Sequence, residues 1–232
     1  MSEKKALLEE TFAAIAHQWR QPLNEINALV SRIDNRLYEK KIDDEEIEEY
    51  LVEIEKITRS MSQTIDDYRG YFSQSEVKNR VNLDNLLKDI VKEYQSILDR
   101  YTISLKINIE KDIYFDGDEQ IFKQILLTLL NNAKDALIAR SVYNGEICIE
   151  AKVQQNIVFL QVSDNAGGIP KSAISKLFNP DFTSKHASEG TGLGLYMVKK
   201  LLDEHFLGEI FVKNLEKGVA FEVMIPEKKK ES

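Results

Sequence analysis

One histidine on a long helical stripe, an asparagine pair on another helix and two glycine-bearing loops are where this sequence could do chemistry. Leu8, Phe12, Ile15, Trp19, Leu23, Ile26, Val30, Ile33 and Leu37 recur at steps of three and four, the spacing of one helix face. With Ile15 set at zero and about 100° per residue, Trp19 falls near ~40° and His17 near ~200°. Gln21 and Asn24 fall near ~240° and ~180°, so the three share a polar face. An exposed imidazole can serve as a nucleophile or proton carrier near neutral pH, or simply be a solvated surface side chain. Pro22 follows one turn later and should bend the helix, which favours the functional reading. In LLNNAKDAL, Asn132 is a poor helix former among good ones. Its carbonyl is a hard oxygen ligand suited to Mg²⁺, or a partner for neighbouring backbone. Asp164 opens DNAGGIP at the end of a strand, where it could accept a bond from an exocyclic amine. Gly167 and Gly168 would let the backbone pass close to a flat ring, although a tight turn also explains them. EGTGLGLYMVKK places Gly190, Gly192 and Gly194 where a loop becomes a helix, and amides at such a start attract phosphate. It matches neither GxxxxGK[ST] nor a GxGxxG with its βαβ unit.

These side chains need elements to hold them. A second series, Ile47, Leu51, Ile54, Ile57, Met61, Ile65, Tyr68 and Phe72, predicts another long helix. KKIDD connects the two, with Asp43 or Asp44 as N-cap, so residues 1–75 read as an antiparallel hairpin. A lone hairpin leaves its apolar stripes half covered, and pairing of two copies into a four-helix bundle is the remedy. After the polar linker SQSEVKNR, residues 76–232 predict helices over 83–98, 118–140 and 192–206. Strands are predicted over 101–109, 146–153, 157–163, 208–214 and 219–225, with 164–191 irregular. That order indicates an α+β sandwich with helices on one sheet face.

Composition narrows the function classes. The 232 residues carry 31 Lys+Arg and 39 Asp+Glu, a net charge of −8. Of this, −6 lies in residues 1–75, which hold 10 basic and 16 acidic side chains. Acidity counts against nucleic acid. Cys148 is the only cysteine, so no internal disulfide framework exists. No apolar run reaches the roughly 18 residues that span a bilayer, and MSEKKALLEE is no signal peptide. The expectation is a cytoplasmic chain without membrane contact of its own.

In their order, the motifs resemble the catalytic core of sensor histidine kinases of two-component systems. AHQWRQPL resembles the H box, TLLNNAKDA the N box, DNAGGIP the first glycine box, LFNPDFTSK the F box and EGTGLGLYMVKK the second glycine box; GVAFEVMIP is similar to the closing strands. The resemblance covers roughly residues 5–226. It implies a GHKL-type ATP-binding sandwich behind a dimerising hairpin that forms a homodimer. His17 would be the phosphoacceptor, followed by Gln18 and, one turn on, Gln21. Asn132 would hold Mg²⁺ on the ATP phosphates, with Asp135 near the nucleotide. Asp164 would read the adenine amine beside Gly168. Residues 171–190 would form a flexible lid carrying Phe178, Phe182 and Lys185. Gly190, Thr191, Gly192, Leu193 and Gly194 would bind phosphate. The phosphoryl group would pass from His17 to an Asp of a response-regulator receiver domain.

Three positions depart from the family. Gln18 stands where an acidic base is common and takes no proton usefully. Gln21 stands where relatives use Thr or Asn to orient a dephosphorylating water, a task it fits less well. Thr128 stands where ATPases of this fold place a Glu to activate water, which favours transfer to protein over hydrolysis. The competing readings are a related-fold ATPase and a signalling scaffold without turnover. Few residues precede the first stripe, so the sequence reads as the excised cytosolic core of a larger sensor.

Overall fold

The computed structural model describes residues 2–39, 42–72, 79–179 and 194–227; within 2–18, at 21 and 60 and within 63–72 it describes the backbone alone. The chain divides into two compact units, residues up to 69 and a second from 70 to 178 that resumes at 194.

The first unit contains α1 (Ser2–Tyr38) and α2 (Asp44–Phe72). The helix runs through Pro22 without ending, although the ring deletes one main-chain bond. Asp43 is the cap of α2, its Oδ1 accepting the Glu46 amide at 2.8 Å. Arg36 bridges back to Glu46 at 2.6 Å across the connector. The apolar stripe of α1 is split. Leu29, which lies off the predicted stripe, is buried with Ile57 of α2, while Leu23, Val30 and Leu37 stay 46%, 50% and 51% exposed. The acidic run of α2 faces solvent at Glu48, Glu49 and Glu53.

The second unit is an α/β sandwich. Its five-stranded sheet runs β2 (Ser104–Ile109), β4 (Glu146–Gln154), β5 (Ile157–Asp164), β7 (Val219–Pro226), β6 (Glu209–Asn214) across, and β1 (Asn79–Asn82) pairs with β3 (Tyr114–Gly117) beside it. β2 and β4 are parallel and the other neighbours antiparallel. Alternate residues, Ile149, Val162, Leu160, Phe221 and Val223, face a core shared with α3 (Leu83–Arg100), α4 (Glu119–Ala139) and α6 (Gly194–Leu201). On the other face Glu150, Gln161 and Glu222 lie in register across three strands. That period-two contrast is what a one-sided sheet requires.

The main helices and the five strands of the sheet stand close to their predicted positions. The small β1–β3 sheet is additional, and Asn79–Arg80 belongs to it rather than to a linker. Its strands are four residues long, too short to show alternation. A π-helical turn, Leu202–Phe206, completes the last helix and ends with Leu207 at φ 50°. Its Phe206 packs edge-on against Phe122 and Phe115, in the space left by the absent side chain of Gly117. Among the described residues no helix is long and apolar enough to cross a membrane.

Candidate functional site

The polar side of α4 carries the first part of the site. Asp118 caps the helix, its Oδ1 accepting the amides of Gln120 at 2.8 Å and Ile121 at 3.2 Å. The apolar side buries Ile121, Phe122, Ile125, Leu129 and Leu130, which fixes what faces away. The two neighbouring asparagines then differ. Asn131 Oδ1 accepts from the Tyr94 hydroxyl at 2.7 Å and from Lys134 Nζ at 3.1 Å. Burial, and then the negative charge of Asp135, push the Tyr94 phenol well above its ordinary value, so it remains a donor. Lys134 also lies 3.3 Å from Asp135 Oδ1. Asn131 is therefore engaged in structure. Asn132 is not: its Nδ2 is buried without a hydrogen-bond partner. A buried orphan of this kind costs about 1–3 kcal/mol and calls for a reason.

Thr128, one turn earlier, donates its hydroxyl to Gln124 of its own helix at 2.9 Å. Its methyl points at the start of α6, where a Cβ on Gly194 would lie 3.2 Å away. Thr128 thus presents no base there. Of the predicted phosphate residues the structure places Gly194 alone. Gly190, Thr191, Gly192 and Leu193 lie outside the described residues, as do Phe182 and Lys185. Phe178 is half-buried against the core, with Lys199 Nζ 5.9 Å from its ring centre. The stretch expected as a lid from 171 begins as a short helix, α5 (Lys171–Ile174), anchored by buried Leu177.

The second part is the loop after β5. Asp164, 9% exposed, accepts the Ala166 amide at 2.8 Å. Burial raises its carboxyl above the ordinary value, while the amides of Ala166 and Val219 and the charge of Arg140 draw it back. Asn165 ties the loop to the start of β4, accepting from Glu146 N at 2.8 Å and donating to Asn144 O at 3.1 Å. Gly167 sits at φ +96°, a conformation that L side chains rarely adopt. Gly218 approaches so closely that a Cβ there would collide with the Asp164 carbonyl. Gly168 lies beside Asn214, which donates Nδ2 to Ile169 O at 2.8 Å and accepts Ile169 N at 2.8 Å. Arg140 donates to Ala166 O at 2.6 Å and to Gly168 O at 3.0 Å.

Sequence reasoning missed Arg140, Asn165, Asn214, Gly218 and Tyr94. Each acts on main chain or on another side chain far away in sequence, which no local pattern records. The backbone of His17, Gln18 and Gln21 belongs to α1, and their side chains lie outside the described ones.

Residues 117–229 match the family described as histidine kinase-, DNA gyrase B-, and HSP90-like ATPase. The chain carries a domain of that family. Its resemblance to sensor histidine kinase cores holds over almost the whole length. It is 29% identical over 227 residues to the signal transduction histidine-protein kinase AtoS of Escherichia coli, covering 97% of this chain and 36% of AtoS. It is 27% identical over 229 residues to sporulation kinase A of Bacillus subtilis, covering 98% and 36%. The chain thus spans about a third of the length of these two relatives. The solved catalytic domain of the histidine kinase ThkA superposes with a TM-score of 0.58 at 28% identity, covering 65% of this chain and 96% of that one. ThkA in complex with the response regulator protein TrrA superposes at 0.72 over 98% of this chain and 64% of that one, at 24% identity; this second match concerns the fold.

Within the histidine kinase-type domain, the donor set can be tested against Mg²⁺. Among the described residues no three His, Cys, Asp or Glu side chains gather as a metal cage. One amide with its protein-side bonds unmade fits a cation that keeps its water and phosphate oxygens. Asn132, whose Nδ2 makes no hydrogen bond, is the candidate, and its carbonyl would be the ligand.

Proposed function

We propose that the chain is the core of an ATP-dependent protein-histidine kinase. Residues 76–232 bind ATP and residues 1–75 carry the phosphoacceptor. The observation that carries this reading is the unpartnered Asn132 amide on α4, in a domain whose family is an ATPase. Asn132 would hold Mg²⁺, which neutralises phosphate charge when bound. Asp135 lies one turn further on, and Gly194 opens the helix that faces Thr128. Asp164, whose carboxyl is held by the Ala166 amide, would also read the adenine amine beside Gly168. Phe178, Phe182 and Lys185 line the segment over the nucleotide, and Gly190, Thr191, Gly192 and Leu193 offer amides to phosphate.

The imidazole of His17 attacks the γ-phosphorus with a nitrogen lone pair, the bond to the β-phosphate oxygen breaks and ADP leaves. The imidazole proton goes to solvent or another group, since Gln18 takes none. The phosphoryl group then moves to an Asp of a response-regulator receiver, with Gln21 on the same helix face as His17. Phosphoryl transfer needs mainly in-line positioning and charge neutralisation, which two units joined by a linker can supply. The split stripe of α1 supports a homodimer: Leu23, Val30 and Leu37 repeat every seven residues and stay about half exposed, the pattern of a seam awaiting a second helix pair. The relatives are sensor kinases of greater length, and we place this core on the cytosolic side of such a protein.

Incubation with γ-labelled ATP and Mg²⁺ tests the reading. Acid-labile, alkali-stable label on the wild type, lost in His17→Gln and in Asn132→Ala, is the expected result. Label persisting in His17→Gln would falsify the acceptor. Free phosphate without labelled protein would indicate an ATPase, and absence of nucleotide binding a scaffold.

A further inference from the structure

We infer that Arg140 is the positioning residue of the base-reading loop, and that its fork sets adenine-nucleotide affinity by joining that loop to the helix of Asn132. The inference rests on the reading of Asp164 as the contact for the adenine amine.

The loop needs a frame. Gly167, at φ +96°, contributes no side chain, and a chain passing through glycine has many conformations to lose. The Arg140 guanidinium spans this residue. Nη1 donates to the carbonyl before it, Ala166 O at 2.6 Å, and Nη2 to the carbonyl after it, Gly168 O at 3.0 Å. A Cβ on Gly167 would stand 2.5 Å from Nη1, so the guanidinium takes the space that a side chain would fill. On the far flank Asn214 holds both the amide and the carbonyl of Ile169. Ala166, Gly168 and Ile169 are thereby held from the end of α4 and the end of β6, and the Gly167 amide between them donates to Lys217 O at 2.9 Å.

Arg140 is the C-terminal cap of α4, and Asn132 lies eight residues earlier on the same helix. At 1.5 Å per residue the two are about 12 Å apart along a rigid rod. The helix that presents the phosphate-side amide therefore also locates the base-side loop. A planar fork offers two donors at fixed spacing across Gly167, whereas a lysine ammonium is a compact point charge whose three donors share one nitrogen and lack that spacing.

The test uses the full chain, with ADP and Mg²⁺ as the probe, GDP as competitor, and amide hydrogen exchange of the unliganded protein. In Arg140→Ala the ADP dissociation constant rises roughly 10- to 100-fold, the loss of charged hydrogen bonds. Exchange quickens at residues 166–169 while β5 and β7 keep their protection, and the preference for ADP over GDP shrinks in step. Arg140→Lys, which keeps charge and length, recovers only part of the affinity. Unchanged ADP affinity in Arg140→Ala, or full recovery by Arg140→Lys, overturns the inference. So does exchange that quickens across the whole sheet, which would mean general destabilisation. Asp164→Asn separates the two claims: if it binds ADP as the wild type does, the base-contact reading itself fails and the inference falls with it. If Asp164→Asn loses ADP and Arg140→Ala does not, only the inference fails.

Discussion

The two units bury apolar surface in opposite styles. In the α/β unit the inward residues of strands and helices close on one another, and Ile121, Phe122, Ile125, Leu126 and Leu129 have no exposed area at all. Among the described residues of the helical unit, Leu29 and Ile57 are the only buried apolar side chains, while Leu23, Val30, Leu37, Leu51 and Val52 remain around half exposed. A sheet with helices on one face completes its own core, whereas two antiparallel helices have a stripe wider than the contact between them. One unit is thus sufficient in itself. The other carries an apolar flank that its own two helices leave exposed.

Separating the units is the most severe way to break this contrast. A fragment of residues 76–232 should melt cooperatively at a temperature that does not change with its concentration, and should still bind ADP. A fragment of residues 1–75 should lose its helical circular dichroism on dilution and regain it on concentration, since a partner that binds only the folded form stabilises by mass action. A concentration-independent melt of 1–75 would show that the exposed flank needs nothing. Single substitutions give the same contrast on a smaller scale. Leu126→Ala should lower the stability of the α/β unit by about 2–5 kcal/mol through loss of contacts and the cavity left behind. Val30→Ala, in a half-exposed position, should barely alter a monomer but weaken self-association in sedimentation. Equal effects at the two sites would remove the distinction.

What the sequence disclosed follows the same division. Long helices and alternating strands were legible because their periodicity repeats: α3, α4, β4, β5 and β7 all stand within a few residues of their predicted bounds. The split of the α1 stripe was not legible, because Leu23 and Leu29 are equally apolar and only packing decides which is covered. Asn132 and Asp164 could be singled out by residue type, motif order and position. The frame around them could not. Arg140 reads as a basic residue suited to any helix end, Asn214 as a turn former, and Gly218 as one more hairpin glycine. Their tasks depend on segments more than 20 residues away, and neither charge nor spacing announces such pairings.

Within the self-sufficient unit, the candidate site should be where stability has been given up. Asp164 is a buried carboxyl whose value is raised mainly by burial. In the folded state it holds its proton to higher pH than when unfolded, so its contribution is fully present below the unfolded value and is lost as pH rises through the folded one. Asp164→Asn, which keeps the shape and stays neutral, should therefore raise the melting temperature by a few degrees at pH 7. The gain should shrink as the buffer is taken toward pH 4. ADP binding should be lost at both. A variant less stable than wild type at pH 7 would show that the amide and Arg140 contacts outweigh the burial of charge.

The smallest expected effect returns to the helical unit. Arg36 and Glu46 meet at 2.6 Å across the connector, with side chains 45% and 24% exposed. In water such a pair gains little Coulomb energy, and holding two long side chains in one geometry costs entropy. Arg36→Ala should reduce stability by no more than about 1 kcal/mol. The loss should fall further in 1 M salt, where the screening length is about 3 Å. Asp43→Ala nearby removes the cap of α2, and should cost about 1 kcal/mol whatever the salt, because a cap is a local bond to an otherwise unpaired amide. If Arg36→Ala were the more damaging and indifferent to salt, the connector would be held by charge rather than by its cap, and the helical unit would be less dependent on its apolar flank than its exposed leucines imply.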